Sequence, residues 1–257
     1  MFEEFKISSI VIARDEEENI RRCIASQIGV INDIVVIVDS RTIDSTAKVA
    51  ASFSNVNYET AEWKGYACSK KYALSKTKYD WILWIDADEE LTHELIDELK
   101  QFKKKQPVYN AYDLARRAFF LGKWIKYSGW YPARVTRLFN KNFVSFNEKE
   151  VHEHLKVAGK VGHLQNDLNH YTDPSIEHYF AKFNLYTSLA AKELYEQGRC
   201  SRMRDILLRP IFLFLKMYIF RLGFLDKLHG LILAIFSSLY VFTKYCKLWG
   251  LNRAKPK

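Results

Sequence analysis

The feature that most constrains the fold is residues 81–90, Trp-Ile-Leu-Trp-Ile-Asp-Ala-Asp-Glu-Glu, where five apolar residues run into a cluster of carboxylates. The apolar run is short, aromatic and β-branched, which predicts a strand buried on both faces in a mostly parallel sheet. Open α/β sheets bind their ligands at the carboxyl ends of such strands. Asp86 and Asp88 stand one small residue apart, so both can reach one divalent cation. Magnesium and manganese take oxygen ligands of this kind together with substrate phosphates. The alternative is structural, because acids at 88–90 also favour the start of a helix.

Two further apolar runs precede this one. Residues 7–13 (Ile-Ser-Ser-Ile-Val-Ile-Ala) end in Arg14-Asp15-Glu16-Glu17-Glu18-Asn19, and Ile20, Cys23, Ile24 and Gln27 then keep helical spacing. Residues 34–38 (Ile-Val-Val-Ile-Val) end in Asp39-Ser40, and Asp44-Ser45-Thr46 can cap a helix reaching about Phe53. A short strand is expected at 56–58, a helix carrying Lys70 and Lys71 at 65–74, and an amphipathic helix at 91–102. Alternating strands and helices predict βαβ units and an α/β fold. Neither GxGxxG nor GxxxxGK[ST] occurs, which argues against a dinucleotide fold and a P-loop. Acids at Asp15/Glu16, Asp39 and Asp86/Asp88 fall on consecutive βα turns, which predicts one shared site.

The pattern changes after Pro107. Residues 109–120 look extended, and Arg116-Arg117 interrupt their apolar run. Gly122-Lys123-Trp124 and Gly129-Trp130-Tyr131-Pro132 are turn-rich and aromatic, suited either to stacking on sugar rings or to ordinary core and turn packing. Residues 134–139 alternate like a half-buried strand. Val151-His152-Glu153-His154 and Asn169-His170-Tyr171 follow. Asp173-Pro174 before a helix at 175–197 gives its start and Gly198 its stop.

The charge divides the chain. Residues 1–198 hold 27 Lys and Arg against 28 Asp and Glu, whereas residues 199–257 hold 12 against 2, so the tail carries the whole excess of +9. Its two apolar stretches, 210–220 and 228–243, are shorter than the roughly 20 residues a spanning helix needs. They predict amphipathic helices lying on a membrane face, with Lys and Arg at anionic headgroups, or else a hairpin packed on the domain or on a second subunit as a homo-oligomer. So apolar a basic tail disfavours nucleic acid. Four scattered cysteines without a CxxC suit a reducing compartment, and the acidic start is no secretory signal. The expected domains are 1–198, divided into a donor half (1–106) and an acceptor half (107–198), and a tail (199–257). The expected location is cytoplasmic, peripheral on the inner face of the cytoplasmic membrane.

In their order, these motifs resemble the family 2 glycosyltransferases, and within them the lipopolysaccharide-core, β-glucosyltransferase-like group. Ile10 to Ile20 resembles the first nucleotide-binding turn, which points to Ala13, Arg14 and Glu16. Val38-Asp39-Ser40 resembles the second, where the aspartate contacts uracil. Gly65 to Leu74 resembles the family's helix whose Lys70 position lies near the nucleotide, and Asp86-Ala87-Asp88 resembles the DXD metal motif. Gly122-Lys123-Trp124-Ile125, Gly129-Trp130-Tyr131-Pro132, Arg137-Leu138-Phe139 and Val151-His152-Glu153 resemble the acceptor half, and Gly223-Phe224-Leu225-Asp226 with Gly230 the tail. The chain departs from the family at Arg41-Thr42-Ile43, where Gly-Ser-Thr is usual, so that Arg41 is placed to contact phosphate or reshape the loop. It also has Lys71 for the usual Asn and Asp15 where Asn is common.

The resemblance implies a GT-A, Rossmann-like fold with a mostly parallel central sheet flanked by helices and a C-terminal amphipathic helical appendage. It implies inverting transfer of a hexose, glucose being favoured, from a UDP-linked sugar to a glycan or glycolipid hydroxyl. Mg²⁺ or Mn²⁺ would sit on Asp88, with Asp86 assisting or holding the ribose and His170 as a further ligand or a hydrogen-bonded structural group. Inversion needs one general base and no covalent intermediate, and Glu153 is the candidate. The rivals are a polyprenyl-phosphate glycosyltransferase, for which Glu153 is dispensable, and a non-catalytic nucleotide-sugar binding protein at the membrane.

Overall fold

The computed structural model describes residues 4–146 and 155–254. It contains two compact units, one of residues 1–116 and 133–170, the other of 117–132 and 171–257. These boundaries differ from the composition step at 198/199.

The first unit opens with β1 (Ile7–Ala13), α1 (Glu17–Gln27), β2 (Asp33–Asp39), α2 (Thr46–Ala51), β3 (Val56–Ala61), α3 (Tyr66–Ser75) and β4 (Trp81–Trp84). Next come β5 (Glu89–Leu91), α4 (His93–Phe102), β6 (Ala111–Phe120), β7 (Lys123–Trp124), β8 (Ala133–Asn140), β9 (Val144–Phe146), β10 (Leu155–Val157), β11 (Val161–His163) and β12 (Leu168–Asp173). The strand order is β3-β2-β1-β4-β8-β6-β12-β5. The first four are parallel, β8 is antiparallel to both β4 and β6, and β12 is antiparallel to β5.

The apolar runs account for the parallel part. Every residue of β2 is buried, as a strand covered by helices on both faces requires. Period-two alternation sends Val36 and Val38 to one face and Val35 and Ile37 to the other. On the first face Ile20, Cys23 and Ile24 of α1 and Leu95 and Leu99 of α4 complete the core; on the second, Ala73 of α3 packs with Ile82 and Phe139. Each fully buried Ile, Leu or Phe contributes about 1.5–3 kcal/mol.

The helix expected at 91–102 begins at His93. Thr92 caps it, its Oγ1 accepting the Leu95 N–H at 3.2 Å. The residues just before it are not a helix start. Glu89–Leu91 is a strand, with His170 opposite Glu89 and Leu168 opposite Leu91.

The second unit contains β7, paired with the end of β6, and the helices α5 (Ile176–Glu196), α6 (Met203–Leu215) and α7 (Lys227–Arg253). Between α6 and α7 lie a π turn at Lys216–Phe220 and a 3₁₀ turn at Gly223–Asp226. Phe120, Ile125, Met217, Leu233 and Ala234 form its core. The buried Asp226 carboxylate accepts the backbone N–H groups of Lys126 (3.2 Å) and Tyr127 (2.9 Å). Gly230 sits so close to the Gly223 carbonyl that a Cβ there would overlap it.

The tail helices are longer than the apolar runs suggested. Lysine is a good helix former, and Lys247 Nζ is anchored on α5 by Asn184 Oδ1, Thr187 Oγ1 and Ser188 Oγ, each at 2.8 Å. The 27-residue α7 therefore continues through Lys244 and Lys247. By length and composition, Gly223–Arg253 is the one such stretch among the described residues that is apolar enough to cross a membrane.

Candidate active site

The parallel register sets the geometry of the site. Ala13 lies opposite Val38 and Ile10 opposite Trp84, so β2 and β4 end on the same sheet edge, on either side of β1.

The loops after β1 and β2 are tied together. Asp15, at φ +53°, accepts the Ile43 N–H at 2.9 Å. The Glu16 N–H donates to Thr46 Oγ1 (2.7 Å), and the Glu17 N–H to Asp44 Oδ2 (3.0 Å). Asp44 Oδ1 also accepts the Thr46 N–H at 2.9 Å. Asp15 and Asp44 thus serve the loops themselves, and Arg14 forms an ion pair with Asp15 (3.4 Å).

Asp39 is buried. Arg41 donates to it from its backbone N–H (2.9 Å), from Nε (3.1 Å to Oδ1) and from Nη2 (2.7 Å to Oδ2). The Arg41 hydrogen bonds hold its carboxyl below the usual range, against the opposing effect of burial. A cleft of about 370 Å³ opens beside it, lined among others by Ile12, Ile37, Asp39, Trp63, Ser69 and Tyr72. Asp86 and Asp88 do not line that cleft.

At the end of β4 a second cluster forms around Arg137 of β8. Its Nη2 donates to Glu89 Oε1 at 2.6 Å and to Asp86 Oδ2. Glu89 is fully buried; Arg116 Nη1 lies 3.6 Å from its Oε1, and its Oε2 accepts the Asp86 N–H at 2.9 Å. Trp84 Nε1 donates to Asp86 Oδ1 at 3.1 Å, and Lys70 Nζ stands 3.6 Å over the Trp84 ring. Desolvation pushes both carboxyls up. At Asp86 the Arg137 charge and hydrogen bond, the Lys70 charge and the Trp84 hydrogen bond together outweigh it, leaving that carboxyl below its usual value, whereas Glu89 remains raised. Cys23, beneath the cluster, has its thiol pushed well up by burial and by Glu89, Asp88 and Asp86.

Asp88 stands apart from that network. Its Oδ2 is 3.4 Å from His170 Nε2, and each side chain is 17% exposed. The pairing of β12 with β5 places His170 there, because His170 is opposite Glu89, next to Asp88 in the chain. Carboxylate oxygen and imidazole nitrogen are both donors that divalent metals accept. No group of three or more His, Cys, Asp and Glu side chains that could cage a metal occurs among the described residues. An ion on Asp88 and His170 would therefore need further ligands from substrate phosphates or water.

The expected residues thus fall into four groups: Ala13, Arg14 and Glu16 lie at the end of β1 and in the tied loop after it, and the rest divide three ways. Asp39 lines the cleft; Asp86 and Lys70 belong to the Arg137 cluster; Asp88 and His170 meet each other. Glu153, with His152 and His154, lies outside the described residues. Arg137 and Glu89 were not singled out as charged site residues. The signal for Arg137 was an Arg at an inward position of an alternating strand.

The Glycosyl transferase family 2 model matches residues 8–164. "Uncharacterized glycosyltransferase RP128" of Rickettsia prowazekii (strain Madrid E) is 31% identical over 96% of this chain and 88% of its own length. "Lipopolysaccharide core biosynthesis glycosyltransferase LpsC" of Rhizobium meliloti (strain 1021) is 27% identical over 100% of this chain and 97% of its own. Among solved structures, S. aureus TarS 1–349 in complex with UDP-GlcNAc is similar with a TM-score of 0.47 and 14% identity, over 96% of this chain and 91% of that one.

Proposed function

Because the chain belongs to glycosyl transferase family 2, we propose that it is an inverting, metal-dependent hexosyltransferase that moves glucose or a related hexose from a UDP-linked sugar to a hydroxyl of a lipopolysaccharide-core glycan. The observation that carries this reading is the Asp88–His170 pair at the carboxyl end of β4, on the edge where Asp39 ends β2. The core-glycan acceptor is supported by the name of the Rhizobium relative.

Asp88 and His170 are the residues that would hold Mg²⁺ or Mn²⁺. Bound there, the ion would offset negative charge developing on the leaving diphosphate. Asp86 accepts one hydrogen bond on each oxygen, from Arg137 and the Trp84 indole, and its remaining lone pairs assist the metal or hold the ribose. Ala13, Arg14 and Glu16 frame the donor loop, and Lys70 supplies positive charge beside it. Asp39 receives the base in the cleft. Glu153 takes the proton from the attacking hydroxyl. The basic, apolar tail holds the enzyme at the inner face of the cytoplasmic membrane.

The test uses the purified full chain with Mn²⁺, UDP-glucose and a lipopolysaccharide-core oligosaccharide. The product linkage, read by NMR, is expected to have the anomeric configuration opposite to the donor's. Glu153→Gln is expected to bind donor normally and to lose about 10²–10⁴-fold in turnover. A retained configuration, or a wild-type rate in the variant, contradicts the proposal. Transfer to polyprenyl phosphate that is indifferent to Glu153 would support the rival acceptor instead.

A further inference from the structure

The second unit holds a hollow of about 440 Å³, lined by none of the donor, metal or base residues named above. Lys216 and Arg221 stand at the two ends of the π turn, joined by the Arg221 N–H to Lys216 carbonyl hydrogen bond at 2.8 Å. That i→i+5 geometry brings two positive side chains to one hollow, and π turns recur at functional positions. Both are exposed, and neither side chain has a hydrogen bond or ion pair among the described residues. The wall includes Trp130, Tyr179 and Ser128, whose buried hydroxyl has no hydrogen-bond partner.

A second hollow of about 340 Å³, lined by Leu208, Phe212 and Tyr245 among others, shares Leu213 and Val241 with the first. The two therefore meet along the α6–α7 groove. Beside them Leu208 is 62%, Phe212 64% and Phe220 74% exposed, which is unusual for side chains of this size. Arg209, paired with Asp205, and Lys244, over the Tyr245 ring, also line the second hollow, so Lys216 and Arg221 are the cations left for an anionic head, and the apolar wall beside them suits a hydrocarbon tail.

We propose that this groove binds a single anionic phospholipid of the bilayer, its phosphate on Lys216 and Arg221 and an acyl chain laid over Leu213 and Val241 toward Phe212. The proposal deepens the membrane part of the proposed function and needs nothing from the transfer chemistry.

The experiment is sedimentation of the full-length protein with phosphatidylglycerol-containing or pure phosphatidylcholine vesicles, without donor. Wild type is expected to bind the anionic vesicles. Lys216→Gln/Arg221→Gln should weaken binding about 25-fold, roughly fivefold for each cation. Arg199→Gln/Lys227→Gln, an equal charge loss at exposed tail positions outside the groove, should weaken it by a smaller factor. Equal losses in the two pairs would mean bulk charge alone and overturn the site. Val241→Trp keeps the charge and fills the junction of the hollows, so it should also weaken binding. Normal binding by that variant, with helix content intact by circular dichroism, overturns the acyl position. Short-chain phosphatidylglycerol should compete where inorganic phosphate does not; equal competition identifies a free-phosphate site and overturns the lipid. A wild type that ignores both vesicles removes the groove and the membrane location together, while transfer to a soluble oligosaccharide, assayed separately, still decides the enzyme reading.

Discussion

Arg137 of β8 and Glu89 of β5 form a buried ion pair, Nη2 to Oε1 at 2.6 Å, between residues 48 positions apart in the chain. It binds the short strand after the Asp86–Asp88 loop to the antiparallel part of the sheet. Removing Arg137 leaves the buried Glu89 only the longer Arg116 contact at 3.6 Å and takes a donor from Asp86. Arg137→Met is therefore expected to cost about 3–5 kcal/mol, read from urea unfolding. Adding Glu89→Leu should recover most of that loss, because well-packed apolar side chains replace such a pair at little cost. A double variant as unstable as the single would show that the pair is not the source.

The Asp39–Arg41 pair makes stability depend on acid. Arg41 holds the folded-state Asp39 carboxyl below its ordinary value. The stability it contributes is therefore fully present above the unfolded carboxylate value of about 3.9 and is lost as pH falls through the depressed folded value. Arg41→Ala should raise the Asp39 carboxyl toward or above the ordinary range, since burial then acts without its offset. Carboxyl-carbon NMR titration checks this, and an unmoved Asp39 would contradict it.

Two glycines of α7 should respond in opposite directions to alanine. At Gly230 an added Cβ overlaps the Gly223 carbonyl backbone, so Gly230→Ala should cost about 1–3 kcal/mol by overpacking. At Gly250 the Cβ meets nothing within 4 Å, and alanine should stabilise the helix by about 0.5–1 kcal/mol. Thermal unfolding of the two variants gives both signs.

The parallel half of the sheet was legible chiefly because β2 and β4 are apolar runs followed by acids and β1 is buried along its length, a pattern dictated by cover on both faces; the edge strand β3, half-buried and mixed in sequence, was legible only as a short strand. The acids' separate employments were not legible. Asp15 and Asp44 are tied to loop N–H groups, while Asp39 is braced by Arg41 and Asp86 by Arg137, pairings set by neighbours across strands and loops. Residues 88–90 fitted both a helix start and a metal site in the sequence, and the pairing of Glu89–Leu91 with β12, far along the chain, excludes the helix start. The length of α7 was missed because its lysines read as ends, whereas Lys247 finds four oxygen acceptors on α5.

The most direct measurement of the central claim is Mn²⁺ affinity, followed by electron paramagnetic resonance with and without UDP. UDP is expected to tighten Mn²⁺ binding to the wild type. Asp88→Ala and His170→Ala should each lose at least about tenfold of the UDP-supported affinity, the scale of a lost metal contact, and the exposed Asp97→Ala should lose none. Wild-type affinity in Asp88→Ala would contradict the account.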